Sequence, residues 1–89
     1  MKRLFAITFS LILAISVFGQ EKDENFRSSF IEASRLMEEF NYPVALDIWL
    51  KLVETEPENA NVNYKVGFCY LQLSNERKKA LPYLQKAIV

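Results

Sequence analysis

The sequence contains no histidine, and its single cysteine, Cys69, has no second thiol to pair with. The first absence removes the side chain most often used as a general base or metal ligand near neutral pH. The second excludes an internal disulfide and any zinc site built on cysteine pairs. Only two glycines occur, Gly19 and Gly67, so there is neither a glycine-rich phosphate loop nor a nucleophile elbow. An excess of one charge is also lacking, because eleven Lys and Arg balance eleven Asp and Glu. No basic field is available to attract nucleic acid. The carboxylates at Glu38-Glu39 and at Glu54, Glu56 and Glu58 fall at helix ends and in a loop, the pattern of a solvated face. No catalytic residue, metal ligand or cofactor is expected, and the protein is not expected to be an enzyme.

Long apolar runs are missing with one exception. MKRLFAITFSLILAISVFGQ places Lys2-Arg3 before an uncharged run from Leu4 to Phe18, followed by Gly19. A basic start, an apolar centre and small residues at Val17 and Gly19 predict a secretory signal peptide over residues 1–19, cleaved before Gln20. The alternative is an uncleaved anchor, but fifteen residues rise only about 22 Å as a helix, against a hydrocarbon core of about 30 Å. No cysteine follows the run to carry a lipid. Removing Lys2 and Arg3 takes the formal charge from zero to −2, so contact with a membrane is expected only through the signal segment if it is retained.

What remains is about half apolar and a quarter charged, as in a globular chain. A polar linker, residues 20–25, is followed by helical periodicity without a clear alternating strand pattern. The first helix is predicted over Asn25 to Glu39, with Phe26, Phe30, Ala33 and Met37 on one face, and Phe40-Asn41-Tyr42 as the turn. Pro43 then opens a second helix, where its missing N–H is harmless. Ala45, Ile48, Trp49, Leu52 and Val53 form its apolar stripe, and Glu56-Pro57-Glu58-Asn59 ends it. A third helix, Asn61 to Leu73, carries two stripes: Val62, Val66, Cys69, Tyr70 and Leu73, and a third of a turn away Tyr64, Phe68 and Leu71. Two apolar faces require cover on two sides. Ser74-Asn75 closes it, with Asn75 suited to a left-handed conformation. The last helix runs from about Arg77, with Pro82 in its first turns.

The helices come in two matching pairs. Phe30 aligns with Tyr64, Ala33 with Gly67 and Leu36 with Tyr70 at a spacing of thirty-four, while Ala45 aligns with Ala80, Leu46 with Leu81 and Lys51 with Lys86 at thirty-five. One extra residue in the turn Ser74 to Lys78 accounts for the difference. Close helix crossings need small side chains, which Ala33, Gly67, Ala45 and Ala80 supply.

This helix-turn-helix period resembles the tetratricopeptide repeat. The second copy carries Asn63, Val66-Gly67, Tyr70, Ala80, Leu84 and Ala87 at the family's motif positions; the first carries Ser29, Glu32-Ala33, Leu36, Ala45, Trp49, Leu52 and Pro57. Ser29 and Glu32 depart from the expected apolar residues, as terminal repeats often do. The resemblance implies an all-α domain over residues 26–89, with repeat one at 26–59 and an incomplete repeat two at 60–89. Signal peptide, short linker and degenerate first repeat together are also similar to the start of Gram-negative envelope proteins in which such repeats precede a β-propeller and an outer-membrane-protein-A-like, peptidoglycan-binding domain.

In tetratricopeptide arrays the inner face of each first helix lines a groove for peptides or partner helices. The matching positions are Arg27, Phe30, Ser34, Met37 and Glu38, then Asn61, Tyr64, Phe68, Leu71 and Gln72. Tyr64 and Phe68 stand where some members carry a carboxylate clamp, so the implied groove is apolar and aromatic and suited to a hydrophobic peptide or amphipathic helix. Tyr64, Phe68 and Leu71 could equally pack on a following helix. Val89 precedes the expected second closing proline by three residues, and solenoids generally need about three repeats and a cap, so cover for the open face is expected from further repeats or from self-association. Two functions stay open: an exported adaptor binding a protein or peptide in the periplasm or at the outer membrane, and the structural leader of a larger envelope protein.

Overall fold

The computed structural model of the protein describes residues 24–88. The expected signal segment and all but the last two residues of the expected linker lie outside the described residues. Within them every regular element is helical: α1 over residues 24–38, α2 over Tyr42–Thr55, α3 over Ala60–Gln72 and α4 over Ala80–Ile88, the last entered through a 3-10 turn at Arg77–Lys79. The domain is all-α, as its periodicity predicts. Residue 24 is already helical, so α1 begins within the stretch expected to be linker.

The chain reverses between α1 and α2 by a two-bond helix stop. The Phe40 N–H donates to the Met37 carbonyl at 2.9 Å, and the Asn41 N–H donates to the Leu36 carbonyl at 2.8 Å. This arrangement needs a left-handed residue after the helix, usually glycine. Here it is Phe40, with φ 63°. Pro43 then lies in the first turn of α2, where no intrahelical partner for its missing N–H exists. α3 is opened by Asn59, whose side-chain oxygen accepts the Val62 N–H at 3.0 Å, an exchange that stabilises a helix start by about 1 kcal/mol.

The α3–α4 turn corrects one sequence expectation. Asn75 is not left-handed, because Phe40 is the only non-glycine residue with positive φ among those described. Instead the Leu73, Glu76 and Lys79 amides donate in succession to the carbonyls of Tyr70, Leu73 and Glu76. Tight three-residue bonds thus lead directly into the 3-10 turn, and Pro82 falls in the first turn of α4, where it is tolerated.

The core is made of Ala33 and Leu36 from α1, Ala45, Leu46, Trp49 and Leu52 from α2, Val62, Val66, Cys69 and Tyr70 from α3, and Ala80 from α4. Small residues let the backbones close: Ala33, Ala45 and Ala80 are buried, and a Cβ added to Gly67 would meet Leu84 Cδ2 at 2.5 Å. Trp49, fully enclosed, contributes about 1.5–3 kcal/mol or more by leaving water. Asn63 is the one buried polar residue among those described, and its amide donates to the Pro57 and Asn59 carbonyls at 3.0 and 2.8 Å. These bonds satisfy a group that would otherwise be costly to bury, and they tie the α2–α3 loop to α3.

Candidate interaction surface

α3 packs against both α2 and α4. Its Gly67 and Tyr70 side meets α4, where Leu84 lies over Gly67 and the Tyr70 and Tyr83 rings stand 5.7 Å apart. Val62, Val66 and Cys69, about a quarter turn round the helix, are wholly buried in the core shared with α1 and α2. The third sector carries Tyr64, Phe68 and Leu71. Tyr64 and Leu71 are exposed, at 47% and 40%, and Phe68 is half-buried.

These aromatics do not stand alone. Phe68 lies 6.0 Å from Tyr42 and 6.2 Å from Tyr64, and Tyr42 lies 6.3 Å from Phe40. A row Phe40–Tyr42–Phe68–Tyr64 therefore runs from the α1–α2 turn across the start of α2 and along α3. Its spacings suit aromatic pairing, worth about 0.5–1.5 kcal/mol per pair. The end ring, Phe40, is 76% exposed. Leu71 and Gln72, the latter also exposed, extend α3 one turn further.

The expected groove residues of α1 are placed differently. Phe30 is half-buried, with its ring edge-on to Trp49 at 4.9 Å and perpendicular to it. Met37 Sδ accepts the Trp49 indole N–H at 3.2 Å. Ser34 is half-buried and its hydroxyl donates to the Phe30 carbonyl at 2.8 Å. Phe30 and Met37 thus close on Trp49, whereas Tyr64, Phe68, Leu71 and Gln72 occupy one sector of α3. Phe40 and Tyr42 were not among the sequence candidates. The available signal was a pair of aromatics bracketing Asn41 in a turn, where no helix face claims them.

No family model, curated protein or solved structure matches the chain. The reading of this surface therefore rests on its own chemistry.

Among the described residues no cluster of three or more potential metal ligands occurs, and no helix is long and apolar enough to cross a membrane. Burial pushes the Cys69 thiol up to about 11, partly offset by the charge of Lys65, so little thiolate exists near neutral pH. Formal charges pair at the surface: Lys79 with Glu76 at 2.6 Å, Lys86 with Glu58 at 3.3 Å, and a cluster on an exposed face of α1. There Arg35 bridges Glu32 and Glu39, each at 2.6 Å, and its hydrogen bond holds the Glu32 carboxyl below its ordinary value. The aromatic row itself contains no charged residue.

Proposed function

We propose that the protein is an exported, non-enzymatic interaction module of the tetratricopeptide type, which binds a hydrophobic peptide or partner helix in the envelope of a Gram-negative bacterium. The observation that carries this reading is the row Phe40–Tyr42–Phe68–Tyr64, whose outer members remain exposed beside Leu71 although a core is already complete without them. Contiguous exposed aromatics rimmed by polar residues are characteristic of protein-binding surfaces. Agreement in burial between the helix pairs supports the repeat reading: Ala33 with Gly67, Leu36 with Tyr70, and Ala45 with Ala80 are buried in both. The basic, apolar and small-residue order of residues 1–19 supports export.

The test is a double substitution, Tyr64→Ser with Leu71→Ser. Tyr64 is 47% and Leu71 40% exposed, so loss of the Tyr64–Phe68 pairing and of partial burial should cost about 1–2 kcal/mol of stability in all, while association with the envelope partner should fall at least about tenfold. Unchanged association in a folded double variant would refute the assignment. Export is tested separately by N-terminal sequencing of the envelope fraction, which should begin at Gln20; retention of Met1 to Gly19 would favour an anchor.

A further inference from the structure

Two side chains among the described residues carry sulfur, Met37 and Cys69, and they are held in opposite ways. Cys69 is wholly buried, and burial pushes its thiol up to about 11. Thiols meet oxidants as thiolates, so Cys69 is shielded twice. Met37 is half-buried at the edge of the core, and a thioether reacts without losing a proton.

The bond that Met37 accepts sets it apart from a surface methionine. Trp49 is fully enclosed, and its indole N–H donates to Met37 Sδ at 3.2 Å. Phe30 closes edge-on over the same indole, with ring centroids 4.9 Å apart. A thioether sulfur has two lone pairs, one on each prochiral face, and the indole N–H takes one of them. An oxygen added on that face would have to stand about 2.7–3.2 Å from the indole nitrogen, where the sulfur itself now lies. The lone pair on the opposite face is the one left to react.

We propose that Met37 is an oxidation site for a peroxide, attacked on the face turned away from Trp49, so that one sulfoxide epimer forms and the α1–α2 contact is unseated. The free lone pair attacks one peroxide oxygen, and the S–O bond forms as the O–O bond breaks. Two electrons pass from sulfur to the peroxide, whose other oxygen leaves with both protons as water. The sulfur becomes polar and electron-poor and ceases to be an adequate acceptor for the enclosed indole N–H, a loss that is costly for a buried donor. Met37 therefore withdraws from Trp49. Its backbone carbonyl accepts the Phe40 N–H at 2.9 Å, so the displacement reaches the α1–α2 turn.

The experiment exposes the full chain to hydrogen peroxide, once folded and once in urea, and cuts the quenched products with trypsin. Mass analysis of the peptide Leu36 to Lys51 locates the added oxygen. The two methionine sulfoxide reductases, each specific for one epimer, then measure the epimer ratio on that peptide. The folded chain should give one epimer in about fivefold excess, the factor that corresponds to keeping one net hydrogen bond, and the unfolded chain a near-equal mixture. Trp49 is the single tryptophan, so its emission reports the seat directly: it should move to longer wavelength on oxidation, and the oxidised chain should melt about 5 °C lower. A Met37→Leu chain, which keeps the side-chain volume, should show neither response to peroxide, while the comparison on the unaltered chain stands by itself should that variant fold poorly. Equal epimers from the folded chain, failure of folded Met37 to take up oxygen, or unchanged Trp49 emission after oxidation would each overturn the proposal.

Discussion

Leu84 lies so close over Gly67 that a methyl group at position 67 would stand 2.5 Å from its Cδ2 and 2.7 Å from its Cγ. Two opposing effects meet there. Alanine is favoured over glycine inside a helix by about 0.8–1 kcal/mol, and overpacking costs about 1–3 kcal/mol. Gly67→Ala should therefore destabilise the protein by about 1 kcal/mol. In a Leu84→Ala background the obstacle is gone, and the same substitution should stabilise by a similar amount. Urea melts of the four chains in this cycle give the coupling, and a Gly67→Ala effect of the same sign in both backgrounds would contradict the contact.

Phe40 poses the reverse case, a large residue where glycine is favoured. A left-handed conformation costs an L-residue about 1–2 kcal/mol, and a ring 76% exposed recovers little by burial. Phe40→Gly should raise stability by about 0.5–1 kcal/mol after the greater freedom of glycine in the unfolded chain is counted. Phe40→Ala, which keeps the Cβ, should give no such gain. Under the proposed function Phe40 is the outer ring of the binding row, so the stabilised glycine variant should also bind its partner less well. If it melts lower than the parent, the ring is instead holding the turn together.

Ala80 and Lys79 are neighbours with opposite surroundings. Ala80 is 1% exposed, while Lys79 is exposed and paired with Glu76 at 2.6 Å. Ala80→Trp should cost about 1–3 kcal/mol by forcing α4 away from α3, whereas Lys79→Trp should stay within about 0.5 kcal/mol. Helical circular dichroism followed through a thermal melt distinguishes them, and equal losses would remove the close crossing at Ala80.

Cys69 supplies a probe of core opening. Its burial and raised thiol pKa both oppose alkylation. At pH 8 iodoacetamide should modify the folded protein more than about a hundredfold more slowly than the urea-unfolded chain, because only the accessible thiolate reacts. Comparable rates would show that α3 is not held in the core.

Helix number, order and most boundaries were legible because apolar spacing, Pro43, Pro57 and the paired small residues all report local geometry. The buried stripe Val62, Val66 and Cys69 followed from the same periodicity. Phe30 and Met37 were less accessible to sequence reasoning. Their positions match those of Tyr64 and Leu71, but the residue opposite differs: the Trp49 indole fills the space and draws both onto it, whereas Leu84 is smaller. Periodicity assigns a side chain to a face without specifying the volume across from it. The Phe40 turn was hidden for another reason, since residue type points to Asn75 as the left-handed residue and only the hydrogen-bond register selects Phe40.

Site-specific photo-crosslinking in intact cells addresses the binding role most directly. A benzoyl-phenylalanine placed at position 64 or 71, in the exposed sector of α3, is compared with one at Lys51, an exposed position on α2. The account predicts one discrete protein adduct from positions 64 and 71, lost when Phe40→Gly and Phe68→Ser are added, and no such adduct from position 51. An identical adduct pattern from all three positions, or none from 64 and 71 in folded, exported protein, would contradict it.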